Sequence, residues 1–393
     1  MTAIERCFNV AELRKAAKKK LPSPIFHYID GGADDEWTLH RNTDAFEQWE
    51  IIPSMLTGVT DIDLSTRLFG RDLALPFIIS PTGMSRLFHH QKELGVVRAA
   101  GRAKTYYGLS SMASSTIEEV AAASPGPKFF QVYVFRDRGL TRSFVDRCIE
   151  AQYDALCVTV DTAVAGNRER DIVTGMTIPP SFTLRSMLNF AGKWSWLAGL
   201  IHNQDFTLAN LTENIDPRKS GALSIFEYVN QQFDPSINWA DISWLREQWD
   251  GPLVIKGILT AEDAKQARAS GATAIMVSNH GGRQLDSAPA PIDCIPAIRD
   301  AIGDDLELVV DGGIRRGSHI VKALALGASA CSIGRPYLYG LAVGGEAGVT
   351  KAIEILEAET RRAMLLAGFE STQSLRSASP VRPVGLVNHL PVK

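Results

Sequence analysis

Residues 274 to 286 read Ala274-Ile-Met-Val-Ser278-Asn-His280-Gly-Gly-Arg283-Gln-Leu-Asp286. The apolar run at the start reads as a strand buried on both faces, as in a parallel sheet covered by helices. Its sequel is not core chemistry. The strand delivers a histidine and, three residues on, an arginine to one spot, and the glycines between them allow a tight turn and the close approach of a ligand. His280 is a candidate base. Arg283 is a fixed cation that suits a carboxylate. Taken alone, the stretch also fits a glycine-rich surface turn.

The same pattern recurs upstream and downstream. From about residue 75, apolar runs at 76–80, 106–109, 129–134, 155–160, 253–256, 274–278, 306–310 and 329–333 alternate with amphipathic stretches such as 261–270 and 319–326. Eight strand–helix units in series predict an α/β fold, a (β/α)8 TIM barrel rather than an open sheet. No Gly-x-Gly-x-x-Gly follows the first strand, which argues against a doubly wound dinucleotide-binding fold. Each run ends in residues a core would not choose: Pro81-Thr82-Gly83, then Ser110-Ser111, Gln131 with Tyr133, Thr159 with Asp161, Lys256, Ser278 with His280, Asp311-Gly312-Gly313, and Gly334-Arg335. In such a barrel these all lie at the C-terminal mouth, where active sites are built. The turns after strands seven and eight, which carry Arg315 and Arg335, stand where barrels place a phosphate, held by backbone N–H groups and guanidinium. That signal names a group and not a molecule, and a phosphorylated ligand of a non-redox barrel would satisfy it too.

The 393 residues are expected to form one domain, 1–393, with the barrel at about 75–345 and a helical extension at about 10–70. The link after strand four, about 162–252, is far longer than an ordinary βα connection, and its middle, about 176–215, reads as an active-site or membrane loop. Within it 187–201 is mostly apolar with Trp194 and Trp196; it is too short to span a bilayer and suits a membrane interface, a packed lid or a subunit contact. The stretch 346–367 reads as a helix and the last residues as an extended arm. Hydrophobic residues at 45% and charged residues at 22% are ordinary for a soluble protein, and with a net charge of -3 nothing marks a nucleic-acid binder. Lys18-Lys19-Lys20 reads as a solvated helix end. The first 20 residues hold no signal-peptide pattern and no apolar run reaches transmembrane length. Five cysteines without a CxxC predict a reduced, cytoplasmic setting, with a peripheral place on the inner face of the cell membrane left open by 187–201. His89-His90 is an adjacent pair, but no spacing builds a metal site.

At this point the chain resembles, over nearly its whole length, the FMN-dependent L-2-hydroxy acid oxidases and dehydrogenases, which include glycolate oxidase, bacterial L-lactate dehydrogenase and L-mandelate dehydrogenase. The matching pieces, in order, are Tyr28 with Asp30-Gly-Gly-Ala33, Pro81-Thr-Gly-Met84, Phe130-Gln-Val-Tyr133, Thr159-Val-Asp161 with Arg168, Ile255-Lys-Gly257, Ser278 to Asp286, Asp311 to Arg315, and Gly334-Arg-Pro336. The resemblance implies FMN at the barrel mouth. Pro81, Thr82 and Gly83 would meet the ring near N5; Ser110, Gln131 and Thr159 would bond its edge; Lys256 would place charge by N1 and C2=O. Ser278 would contact the ribityl or ring side, while Asp311, Gly312, Gly313, Arg315, Gly334 and Arg335 would hold ribityl and phosphate. For the substrate it implies Arg168 and Arg283 on the carboxylate with Tyr28, Tyr133 on the 2-hydroxyl, and His280 as base oriented by Asp161.

Departures from the glycolate oxidase pattern point to a roomier pocket: Gly83 after Pro-Thr, Met112 at a tryptophan position and Ala165 at a leucine position. Stretches 164–171 and 178–180 look like mandelate dehydrogenase, and 26–33 and 233–259 more like bacterial L-lactate dehydrogenase. The expected reaction is oxidation of an L-2-hydroxy acid, L-lactate first and L-mandelate second, with electrons passing to a quinone or other acceptor; an oxygen-using oxidase is a further alternative. Family members often form tetramers, and a homo-oligomer is expected. The remaining alternative is a peripheral membrane protein whose barrel is only a scaffold.

Overall fold

The computed structural model describes residues 2–176, 193, 196, 198, 199, 207–211 and 231–385. Eight parallel strands close a barrel in sequence order: β1 Phe77–Thr82, β2 Tyr107–Ser110, β3 Lys128–Tyr133, β4 Ala155–Thr159, β5 Leu253–Ile258, β6 Ala274–Ser278, β7 Glu307–Asp311 and β8 Ala330–Ile333, with β8 pairing back onto β1. Each follows one of the apolar runs, and most reach further toward the polar end than the apolar residues do. The parallel ladder needs only backbone groups, so it runs on into the polar residues.

Alternation along each strand divides the barrel into two environments. One set of residues points out, onto helices such as Gly317–Ala325 with its buried Ile320, Val321 and Leu324. The other set points in, where Ile78, Phe129, Ala155, Cys157, Val254, Ala274, Met276, Val309 and Ala330 pack as an apolar plug with Tyr106. Strand β2 carries Gly108 at its middle because the Phe129 ring fills the space a Cβ would need, 2.4 Å away. The N-terminal mouth is stoppered by a hairpin, Thr66–Leu68 with Arg71–Leu73, whose Leu68, Phe69 and Leu73 complete the plug. The barrel interior opens at its C-terminal mouth, where a cavity lies.

The extension is helical at its start, with α1 Val10–Lys20, α2 Ser23–Asp30 and α3 Trp37–Asp44. From Trp49 it becomes extended: Trp49–Ile51 pairs antiparallel with Val381–Pro383 near the chain end. The expected C-terminal helix starts earlier, in Arg335–Ala367, and is broken by Gly344 and Gly345, the latter at φ 60. All five cysteines are buried and free. Among the described residues no helix is long and apolar enough to cross a membrane, and no cluster could hold a metal ion. The stretch 187–201 lies outside the described residues except for 193, 196, 198 and 199; Trp196 donates from Nε1 to the Leu87 carbonyl at 2.8 Å.

Candidate active site

Above the apolar plug, the next inward positions carry Ser80, Ser110, Gln131, Thr159, Lys256, Ser278, Asp311 and Ser332. Strand register sets them side by side: Ser110 opposite Gln131, Thr159 opposite Lys256, Ser278 opposite Asp311 and Asp311 opposite Ser332. Across three other seams the register is offset by two, with Gln131 opposite Cys157, Lys256 opposite Met276 and Ser332 opposite Ile78, so the polar strand ends form a staggered rim. Lys256 is 5% exposed and lies 3.3 Å from Asp311 and 3.9 Å from Asp161. Burial alone would drive its proton off; the two carboxylates outweigh burial and raise its pKa, so the ammonium persists. Asp311 accepts from Ser80 (2.7 Å) and Ser278 (2.8 Å).

At the end of β6 the chain enters left-handed conformations, with φ 59 at His280, 66 at Gly281 and 71 at Gly282. A histidine there costs on the order of 1 kcal/mol. The turn hangs the imidazole over the mouth, its own N–H held by Ser278 Oγ at 3.0 Å. Gly282 seats the turn on α3, where a Cβ would lie 2.6 Å from Leu39 N. His280 Nδ1 meets Asp161 Oδ1 at 2.8 Å. Burial raises the Asp161 pKa, but the His280 and Lys256 charges and hydrogen bonds bring it down to about 2. An ionised carboxylate only accepts, so Nδ1 carries the hydrogen and Nε2 is left as the basic nitrogen. Gly257, at φ 111, makes the approach possible: a Cβ there would fall 2.7 Å from Asp161 Cβ.

Beside the imidazole stand two guanidiniums. Arg283 lies 4.9 Å from the centre of the Tyr28 ring and Arg168 5.5 Å. Arg283 Nη1 donates to the carbonyls of Tyr28 (2.7 Å) and Gly31 (3.2 Å) at the end of α2. Burial, then the charge of Arg168, pushes the Arg283 pKa down. Two cations facing one cavity in this way fit an anionic ligand. Met84, Phe88, Met112, Ala165, Phe233 and Leu338 supply its apolar walls.

The fit to FMN rests on two features. Gln131 Nε2 and Thr159 Oγ1 are buried at the cavity without any hydrogen-bond partner. Gln131 Oε1 already accepts from Ser110 Oγ at 2.9 Å, so its amide N–H is free to donate. Unpartnered polar atoms in a buried layer ask for a ligand with a polar edge. At the other end Arg315 and Arg335 both line the cavity, and burial, then the charges of Arg315 and Arg283, push the Arg335 pKa down to about 9; clustered guanidiniums of this kind suit a phosphate. Arg335 meanwhile donates to the carbonyls of Ile29, Gly281 and Gly31. A ring edge at one end and a phosphate at the other match what these residues lack.

The cavity collects Tyr28, Pro81, Thr82, Gly83, Ser110, Met112, Gln131, Tyr133, Thr159, Arg168, Lys256, His280, Arg283, Asp311, Gly312, Gly313, Arg315, Gly334 and Arg335. Asp161 stands behind His280 rather than on the wall. Ser278 lies fully buried between Lys256 and Asp311, and its hydroxyl is bonded to both and to the His280 N–H. Sequence reading missed Ser80, Ser332, Thr162, Gln284, Phe88, Phe233, Met84 and Leu338. Period-two counting back from Thr82 and Gly334 points to Ser80 and Ser332. Phe88 and Phe233 come from connections with no period to read.

The sequence profile of the family described as FMN-dependent dehydrogenase matches residues 17–381. The chain is 42% identical over 379 residues to an L-lactate oxidase of Nostoc sp., covering 95% of this chain and 98% of that one. It is 40% identical over 377 residues to an L-lactate dehydrogenase of Pseudomonas aeruginosa, covering 95% and 98%. Among solved structures, a monotopic membrane protein, (S)-mandelate dehydrogenase, superposes with a TM-score of 0.91 at 34% identity over 96% of this chain and 100% of that one.

Proposed function

Because the chain belongs to the FMN-dependent dehydrogenase family, with an L-lactate oxidase and an L-lactate dehydrogenase among its relatives, we propose that its substrate is L-lactate, oxidised to the 2-oxo acid. The observation that carries this reading is the His280–Asp161 pair at 2.8 Å beside two guanidiniums in one cavity. FMN, when bound, takes up the two electrons. The chain's residues do the rest. Arg168 and Arg283 take the carboxylate, with the Tyr28 ring packed against both cations. Tyr133, whose hydroxyl burial keeps protonated, donates toward the 2-oxygen. His280 Nε2 receives the proton that leaves the substrate, and Asp161 stabilises the resulting imidazolium. Lys256, Gln131, Thr159 and Ser110 would hold the polar edge of the flavin, the ammonium stabilising negative charge there. Arg315, Arg335 and the turns at 311–313 and 334 would hold the phosphate.

A second reading, an aryl 2-hydroxy acid such as L-mandelate, is favoured by Met112, Ala165 and Gly83 on the side-chain wall and by the mandelate dehydrogenase likeness. That neighbour's membrane attachment also supports a quinone-like acceptor reached at a membrane surface. Anaerobic stopped-flow bleaching of the bound flavin by L-lactate and L-mandelate, with D-acids as controls, separates these readings. Fast bleaching by L-lactate is expected; bleaching by L-mandelate alone selects the second, and bleaching by neither overturns both. In the same assay His280→Gln should keep FMN and slow its reduction by about 100- to 10,000-fold. Normal reduction in that variant would remove His280 as the base.

A further inference from the structure

Behind the cavity wall, in the first turn of the helix Lys92–Arg102, stands a carboxylate that the chemistry above does not use. Glu93 has no solvent exposure. Its Oε1 accepts from Ser85 N at 3.1 Å and Ser114 N at 3.0 Å, and its Oε2 accepts from Ser115 Oγ at 2.9 Å. The Ser114 hydroxyl lies 3.0 and 3.1 Å from the two oxygens. Its partners among the described residues are all N–H and O–H donors. A buried carboxylate is stable only when its lone pairs are filled in this way, so each donor is held where the charge needs it.

The donors come from two different segments. Ser85 lies two residues past Gly83 at the end of β1, and Ser114 and Ser115 lie just past Met112 at the end of β2. The segments touch through Met84 N–H to Met112 O at 3.0 Å, and a Cβ at Gly83 would stand 2.9 Å from Met112 Cβ and O. The Glu93 side chain bonds both segments. Ser114 Oγ further accepts from Arg86 N at 2.9 Å, extending the tie by one residue.

We propose that Glu93 is a positioning residue for the reaction: its carboxylate sets the spacing of segments 83–85 and 112–115, and so the place of Gly83, Met84 and Met112 against the flavin and the substrate side chain. This rests on the function reading above. Charge and four donors define the clamp, and the isosteric amide in Glu93→Gln turns one acceptor into a donor facing N–H and O–H groups. A misplacement of about 1 Å near reacting atoms lowers rates by up to about 100-fold.

The test compares purified, FMN-loaded wild type, Glu93→Gln and Ser115→Ala. Each is measured for flavin reduction by L-lactate resolved into rate constant and Kd, for the visible absorption and circular dichroism of bound FMN, and for Tm. The proposal predicts full FMN content, an altered bound-flavin spectrum and a rate constant down about tenfold or more in Glu93→Gln. Ser115→Ala, which removes one donor and keeps the charge, should move the same readouts the same way by less, and it decides the matter if Glu93→Gln does not fold. A lowered Tm with wild-type rate constant and spectrum in the folded variants would make Glu93 a strut and overturn the proposal. If wild type is reduced by no L-2-hydroxy acid, the function reading fails instead, and the bound-flavin spectra alone decide Glu93.

Discussion

Arg283 shows how much one side chain carries here. Its guanidinium caps the carbonyl end of α2 through Tyr28 and Gly31, stacks on the Tyr28 ring and faces the cavity with its remaining donors. A lysine ammonium is a point charge without the fork and cannot serve all three. Arg283→Lys should therefore keep FMN but weaken L-2-hydroxy acid binding about 10- to 100-fold, from a charged hydrogen bond worth ~1.5–3 kcal/mol. The saturation curve of flavin reduction measures this, and an unchanged curve would remove Arg283 from the carboxylate. At this scale residue type was informative: a histidine, an aspartate and two arginines at strand ends have few structural uses there. Where a hydroxyl points is set by its partners, and those of Ser278 could not be read from its own strand. Lys256 and Asp311 arrive from other strands, and one sequence does not display their register. Glu93 was invisible for the same reason, since its donors come from β1 and β2 connections and not from its own helix.

Strands were the most legible elements, because burial on both faces leaves a continuous apolar run. What the run hides is local irregularity. In β5 the pairing with β6 shifts between Lys256 and Ile258, and Gly257 sits there at φ 111. An isolated glycine in a strand is a signal for a bulge or a close approach, and here it is both. The bulge leaves Lys256 pointing inward while clearing the space Asp161 occupies. Gly257→Ala would demand a disfavoured φ, costing on the order of 1–3 kcal/mol, and would press on Asp161. We expect FMN to be retained, Tm to fall and flavin reduction to slow, as Asp161 is pushed off His280 Nδ1. A rate equal to wild type would mean that the 2.8 Å contact does not govern the base. The connections were the least legible: Phe88 and Phe233 reach the cavity from segments without periodicity, and only the chain's return to the barrel brings them there.

For the molecule as a whole, the eightfold recurrence gave away the barrel, whereas the seam between the extension and the turn after β7 could only be seen folded. His319 lies in that seam. Its ring stacks on Phe46 of the extension, with centroids 4.4 Å apart, and its Nδ1 lies 3.2 Å from the Gly313 carbonyl. Burial, aided by Lys322, Arg315 and Arg316, holds its pKa down at about 4 despite that carbonyl. The unfolded chain binds the proton near the ordinary value of about 6.5, so the folded state is at full strength above that pH and weakens as pH falls toward 4. By pH 5 the loss from this one group is on the order of 1–2 kcal/mol. His89, lowered to about 3 by burial and by His90, Lys20 and Arg86, adds in the same window. Asp161 and Asp30, both held at about 2, lose their contribution only below the ordinary carboxylate value of about 4. Between pH 6.5 and 4 the two histidines therefore lower stability, and Asp171 and Glu307, whose pKa values burial raises, oppose them. Tm of the FMN-loaded protein should drop by several degrees between pH 7 and pH 5, and His319→Gln, with no proton to gain, should drop by less. An equal drop in that variant would mean that the seam between Phe46 and the Gly313 turn already opens to water in the native state.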